Sequence, residues 1–229
     1  MRNMELREGI KDSIPIVLGY LPLGFAFGVL ATEAGMNLLQ ATAMSILCFT
    51  GAGQYIAIGV MQAGGAVITA ILANLLINQR YTLFATSMVP YLKKLPTRWT
   101  AFLSYGLTDE TYAVAINRYR QQEASISYMA GLNLTSHLSW VGSTVLGAWL
   151  GSLISNTERF GLGFALPAMY TCLLVFMVNK KSDALVAVFS AFICLLSAYL
   201  LPDSMKNLSN IIIATLIGAS LGMLIDERN

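Results

Sequence analysis

Hydrophobic residues run through this chain in long blocks, and the charged residues are confined to short breaks between them. The charge-free blocks cover residues 13–32, 34–79, 124–157, 160–179, 184–202 and 207–225. A helix needs about 20 mostly apolar residues to cross roughly 30 Å of hydrocarbon. A membrane β-barrel would show alternating segments of about ten residues instead. The pattern therefore predicts an all-α protein, a polytopic bundle of transmembrane helices.

The polar breaks divide these blocks into seven or eight spans. We expect spans near 14–32, 99–117, 126–154, 161–179, 184–201 and 208–225, with two more in 38–91 that divide near Gln62–Gly65. If the first of those two is only a re-entrant hairpin, seven spans remain. The polar segment 1–12 would lie at the interface, and the positive-inside rule favours a cytoplasmic amino terminus in either case. The short loops predict a single transmembrane domain, 1–229.

Composition narrows the class of protein. Of the 229 residues, 56% are hydrophobic and 11% are charged, against about 25% charged in soluble domains. The net charge is only +2 and the basic residues form no stripe, so the sequence does not predict nucleic-acid binding. The three cysteines lack metal-ligand spacing. The first apolar block is longer than the apolar core of a signal peptide, so we interpret it as a membrane span that is retained in the mature protein.

A glycine-rich run, TGAGQY at 50–55, lies within the longest charge-free block. Gly51 and Gly53 each weaken a helix by about 1 kcal/mol relative to alanine. Broken helices at membrane depth expose backbone N–H and C=O groups to a substrate. One interpretation is a broken helix at a binding site lined by Thr50 and Gln54. The other is close helix packing through small residues.

A second polar group, Asn74, Asn78 and Arg80, interrupts an otherwise apolar helix. Asn74 and Asn78 are four residues apart and share a helix face. An ionisable group inside a membrane is a functional-site hypothesis by default, and a guanidinium matches a carboxylate. The alternatives are an arginine whose side chain reaches the interface, or one that pairs with Asp109 only for assembly.

Asp109 and Glu110 form the third group, within the predicted span 99–117. Burial favours the neutral form of a carboxyl group, so such a group can take up and release a proton during transport. Adjacent helical residues point about 100° apart, so we expect at most one, Asp109, to face Arg80. The alternative is that 99–117 is not a full span and both acids are solvated at a break.

Other features point to packing. His137 could relay protons, but a lone histidine in an apolar span more often packs. Three GxxxG pairs, beginning at Gly24, Gly147 and Gly218, favour close helix contacts. The tetrapeptide LGFA at 23–26 recurs at 162–165. With eight spans, the two spans that carry it run in opposite directions, as an inverted repeat requires; the alternative is coincidence in so apolar a chain.

The sequence lacks the signatures of several other classes. It has no nucleophile constellation, no metal cluster, no GxxxxGK[ST] phosphate loop and no TVGYG-like filter. We therefore expect no enzyme, no bound cofactor and no metal.

Together these motifs resemble the AzlC family, the large subunit of bacterial branched-chain amino acid exporters. They are PLGFAFG at 22–28, FTGAGQ at 49–54, LINQR at 76–80 with Pro90 downstream, LTDE at 107–110, SWVGSTVLGAWLG at 139–151 and FALPAMY at 164–170. The resemblance covers nearly the whole chain in the expected order. Two positions depart from the family pattern: Tyr81 stands where a histidine is usual, and Gly163 where an acid is frequent.

The resemblance implies a multi-pass protein of the bacterial inner membrane that works with a small AzlD-type membrane subunit. Its expected substrates are leucine, isoleucine or valine, with methionine and toxic leucine analogues as further candidates. We expect export to be driven by the proton motive force. Gly51, Gly53 and Gln54 would bind the zwitterion, Arg80 its carboxylate, and Asp109 the coupling proton. Phe25 and Phe164 would contact the apolar side chain. The rival hypotheses are a passive channel, a non-transporting assembly or sensor subunit, and a membrane enzyme.

Overall fold

The computed structural model describes residues 2–151, 180–202 and 209–226, and single positions at 164, 167, 168, 171, 174, 175, 178 and 204. The described residues form α-helices and no strand, which confirms the predicted all-α class. The helices are α1 (Arg2–Asp12), α2 (Ile14–Glu33), α3 (Leu38–Leu47), α4 (Gly51–Gln62), α5 (Val67–Leu92), α6 (Thr97–Ser104), α7 (Asp109–Tyr119), α8 (Ile126–Gly151), α9 (Lys181–Leu200) and α10 (Ser209–Asp226). Most of the predicted span 161–179, and the second LGFA copy except Phe164, lie outside the described residues.

Three of the described helices are long and apolar enough to cross a membrane. They are α2, α5 and α9. The predicted polar breaks separate helices at both expected places, after Glu33 and after Gln62. Each of these turns contains a glycine with positive φ, Gly35 at +87° and Gly64 at +67°, a conformation that glycine adopts without a side-chain clash. The total number of spans remains a prediction.

The prediction that residues 99–117 form a single membrane span was wrong. Two short helices, α6 and α7, occupy it, and their lengths of 8 and 11 residues correspond to about 12 and 17 Å. Neither reaches across about 30 Å of hydrocarbon. The helix breaks because Thr108 caps a new one: its hydroxyl accepts the Thr111 backbone N–H, and its own N–H donates to the Thr111 hydroxyl.

The α6–α7 segment is a helical hairpin whose two ends lie together. Lys94, before α6, and Glu123, after α7, form an ion pair with an N···O distance of 2.9 Å. Their hydrogen bond raises the pKa of Lys94 and lowers that of Glu123, although so exposed a pair stabilises little. The loop before α6 and the loop after α7 therefore lie side by side.

Glycines set the packing of α2 against α8. A methyl group at Gly28 would overlap the carbonyl oxygen of Thr144, and one at Gly147 would overlap that of Phe25. Gly24 lies against Ser143 near the start of this contact, and Gly151 lies against Val29 and Thr32 near its end, so α2 and α8 run parallel. This confirms the close helix contact that the first two GxxxG pairs predict. The polar helix α1 continues along α8, and its Glu8 bonds Arg118 at 2.6 Å.

The chain forms two compact units, each described here by itself. The first comprises residues 1–54 and 77–163, and the second 55–76 and 164–229. In the second unit α9 packs against α10. Gly218 of α10 lies against Ser190, and Gly222 lies near Val186, which agrees with the third GxxxG pair. Helices α4 and α5 each contribute residues to both units.

Candidate functional site

The glycine-rich run begins at a helix break, which lies between α3 and α4. Residues 48–50 are non-helical, and α4 begins at Gly51. The predicted break is therefore present, but Gly51 and Gly53 lie in the first turn of α4 rather than in the unwound segment. Gly51 also faces the ring of Trp140, since a methyl group there would lie 3.0 Å from the indole. The break and the close packing, which the sequence left as alternatives, occur at the same place.

Gln54 is a fully buried side chain with no exposed surface. Its Nε2 donates to Ser45 Oγ at 3.0 Å, and its Oε1 accepts from Trp140 Nε1 at 2.8 Å. These bonds hold the first turn of α4 beside α3 and α8. The structure therefore places Gln54 behind the unwound segment, where its backbone N–H bonds the Thr50 carbonyl, and its role in substrate binding stays a prediction.

Thr50, in the unwound segment, bonds the polar face of α5. Its hydroxyl donates to Asn78 Oδ1 at 2.8 Å. The hydroxyl of Tyr81 lies 3.5 Å from Thr50 Oγ1. Three polar side chains that are scattered in the sequence thus come together next to a helix break.

Arg80 pairs with Asp109, as the sequence predicted. Nη2 of Arg80 lies 3.0 Å from Oδ2 of Asp109, and the two side chains are 17% and 21% exposed. Arg80 Nε is buried and has no hydrogen-bond partner among the described residues. The guanidinium therefore keeps a donor that is not used by the pair.

Glu110 faces a different helix from Asp109. The hydroxyl of Tyr20, in α2, donates to Glu110 Oε2 at 2.7 Å and lies 2.7 Å from Thr108 Oγ1. The first turn of α7 is thus held on both sides, by Arg80 of α5 and by Tyr20 of α2. Two acids at a helix amino terminus also interact favourably with the helix dipole.

A cavity of about 500 Å³ lies between the two helix breaks. That volume is within the range of about 300–1,000 Å³ typical of small-molecule sites. Its polar wall includes Thr50, Asn78 and Tyr81, and its apolar wall includes Phe49 and Leu107. Tyr105 also lines it, and the Tyr105 hydroxyl donates to the carbonyl oxygen of Ile46. Arg80 and Asp109 are not in the wall, but each is within two residues of one that is.

Two expected site residues lie away from this cavity. Phe25 packs in the α2–α8 contact, where its backbone meets Gly147. Asn74 belongs to the second unit, and its Nδ2 donates to the Ala70 carbonyl one turn earlier. His137 packs against the Phe49 ring at 4.4 Å, and its Nε2 lies 3.2 Å from the Ser45 carbonyl oxygen. No cluster of three metal-ligating residues occurs in the described part of the chain.

Sequence reasoning missed the aromatic residues that line the cavity, Phe49, Tyr81 and Tyr105. Each lies beside a motif that was identified: Phe49 precedes Thr50, Tyr81 follows Arg80, and Tyr105 comes three residues before Thr108. Their position next to a polar motif was the one signal that could have indicated these residues as part of the site. An aromatic residue in an apolar block is otherwise indistinguishable from a packing or lipid-facing one.

Comparisons with known proteins agree with these motifs. The family model described as AzlC protein matches residues 15–154. The inner membrane protein YgaZ of Escherichia coli (strain K12) is 33% identical over 77% of this chain and 74% of that protein. The branched-chain amino acid transport protein AzlC of Bacillus subtilis (strain 168) is 26% identical over 76% of this chain and 69% of that protein.

An uncharacterized membrane protein of Archaeoglobus fulgidus is also 33% identical, over 76% of each chain. No solved structure matches this chain. The inner-membrane location expected from the sequence agrees with these relatives and with the apolar helices. The chain belongs to the AzlC family and has a role in membrane transport.

Proposed function

We propose that this protein exports branched-chain or related apolar amino acids across the inner membrane, driven by the proton motive force. The observation that carries the proposal is the Arg80–Asp109 pair beside a cavity lined by both polar and apolar side chains. The name of the Bacillus subtilis relative, a branched-chain amino acid transport protein, supports the same substrate class.

The cavity suits an amino acid that has a charged end and an apolar end. Arg80 lies at the position before Tyr81 of the cavity wall, and it would bind the substrate carboxylate after its side chain turns toward the cavity. Thr50 and Asn78 would hydrogen-bond the charged end, and the amino-terminal turn of α4, with Gly51 and Gly53, would favour a carboxylate. Phe49 and Leu107 would contact the apolar side chain.

Proton coupling follows from competition for Asp109. In its charged form Asp109 can pair with the substrate ammonium while Arg80 holds the carboxylate. When a proton binds Asp109, the ammonium loses its partner and the substrate is released. Substrate and proton thus exclude each other, as an antiporter requires. Glu110, bonded to Tyr20, is the second candidate for carrying the proton.

The family resemblance supports a partner, a small AzlD-type membrane subunit. The described helices of this chain expose many large apolar side chains, among them Leu83, Val188 and Tyr199. Lipid can cover such surfaces, so the partner rests on the resemblance and requires a direct test.

Efflux of preloaded labelled leucine, valine and methionine from cells tests the proposal. We expect export that needs the partner and stops when the proton gradient is collapsed. A passive channel would give flux that neither saturates nor concentrates substrate. An assembly subunit would give no flux that depends on this chain. Absence of efflux of all three amino acids, with the partner present, would contradict the proposal.

A further inference from the structure

A second cavity adjoins the one at the helix breaks. It has a volume of about 270 Å³ and extends between α5 and α6 to Lys93 and Thr97. The two cavities share three lining residues, Ala85, Ser104 and Leu107. Those three residues therefore lie between the two cavities.

One face of α6 is polar along this groove. Thr97, Thr100 and Ser104 are spaced by three and four residues, so they lie on the same side of the helix, and all three line the outer cavity. The hydroxyls of Thr100 and Ser104 donate to the backbone carbonyls four residues earlier in the chain, so their oxygen atoms remain as hydrogen-bond acceptors along the groove. At the inner end the polar wall continues with Asn78 and Thr50. A polar solute that moves along the groove therefore meets hydroxyl and amide groups at each step.

The outer end of the groove opens where basic residues gather. The loops on both sides of the α6–α7 hairpin meet there through Lys94 and Glu123, and α1 joins them through Glu8 and Arg118. The segments at this end carry Arg7, Lys11, Lys93, Lys94, Arg98, Arg118 and Arg120, whereas residues 13–79 carry no basic residue. The positive-inside rule assigns such an end to the cytoplasm.

We propose that the groove between α5 and α6 is the path by which the substrate enters from the cytoplasm, with Ala85, Ser104 and Leu107 as its gate. The proposal rests on the proposed transport function for the identity of the substrate. Ala85 has the smallest side chain of the three, so a larger residue there closes the path.

Cys48 provides a reporter, because it is exposed and lines the inner cavity. The variant Cys172→Ser/Cys194→Ser leaves it as the sole cysteine of the chain. A membrane-impermeant maleimide is added to inside-out or right-side-out vesicles from cells that co-express the partner subunit. We expect labelling of Cys48 to be at least tenfold faster from the cytoplasmic side.

Ala85→Trp tests the gate in the same background, and we expect it to slow cytoplasmic labelling at least tenfold. The matched control is Leu83→Trp, on the same helix but lining neither cavity, with 71% of its side chain exposed. It should leave the labelling rate unchanged. Ser104→Trp approaches the gate from α6 and replaces Ala85→Trp if that variant is not recovered as a folded protein.

Unchanged labelling in both gate variants, or labelling only from the other side, would overturn the path. The result is independent of the substrate. Labelling as expected without amino acid efflux would leave the path in place and refute the proposed function. Efflux together with unchanged labelling would support the proposed function and refute the path.

Discussion

At the level of single residues, charge was the feature that the sequence made predictable. Arg80 and Asp109 are opposite charges within apolar surroundings, and a charge there is expensive unless it is paired. Their contact could therefore be predicted without a structure. Gln54 could not be placed, because an amide serves equally well at a cavity wall or in a buried bond to Trp140 and Ser45.

Asn78 provides a test of the polar wall. Asn78→Leu removes the acceptor for the Thr50 hydroxyl and one amide from the cavity. We expect the KM for leucine efflux to rise about tenfold, equivalent to about 1.4 kcal/mol, with a smaller change in kcat. Gln79→Leu, at the exposed next position of the same helix, is the control and should leave KM unchanged. Equal KM values in both variants would remove Asn78 from the site.

At the level of helices, block length predicted most of the elements and failed at α6–α7. The stretch 99–117 has the length of a span, and hydropathy does not distinguish a continuous helix from two half-helices. The local signals were Gly106, which packs against Asn133, and the Thr108–Thr111 capping box. A capping motif inside an apolar block therefore indicates a break that block length alone conceals.

Glycine contacts predict which substitutions α2 and α8 tolerate. Gly28→Ala and Gly147→Ala each place a methyl group onto a carbonyl oxygen of the facing helix. We expect each to destabilise the protein by about 1–3 kcal/mol, as overpacking does, seen as a lower thermal unfolding midpoint in detergent.

The matched controls for this series are Gly19→Ala in α2 and Gly142→Ala in α8. Nothing lies within 4 Å of a methyl group at either position. Helix propensity favours these two changes by up to about 1 kcal/mol, so the thermal unfolding midpoints of these variants should stay the same or rise. The same loss in all four variants would contradict the packing described for α2 and α8.

The cap of α7 links helix structure to function. Thr108→Ala removes a capping hydroxyl at a cost of about 1 kcal/mol and loosens the turn that carries Asp109. Asn37→Ala removes the corresponding cap of α3 and serves as the control. We expect similar losses of thermal stability but a loss of proton-driven efflux, per folded protein, only in Thr108→Ala. Equal efflux in the two variants would show that the cap does not position Asp109.

At the level of the molecule, two helix breaks and one ion pair form the centre of the first unit. The break at 48–50 and the tip of the α6–α7 hairpin both line one cavity. Their meeting joins segments more than fifty residues apart, which no local pattern in one sequence reveals. The α6–α7 hairpin also brings the basic loops on its two sides together through Lys94 and Glu123, and the cytoplasmic amino terminus stays a prediction from the positive-inside rule.

The central claim is that Asp109 couples proton movement to substrate movement. Its most direct test is uptake of labelled leucine against its own gradient in proteoliposomes that contain this protein and its partner, driven by an imposed pH difference. The wild type should concentrate leucine. Asp109→Asn should equilibrate leucine without concentrating it, and Glu123→Gln, in the exposed loop pair, should behave like the wild type. Accumulation by Asp109→Asn to the wild-type level would contradict the account.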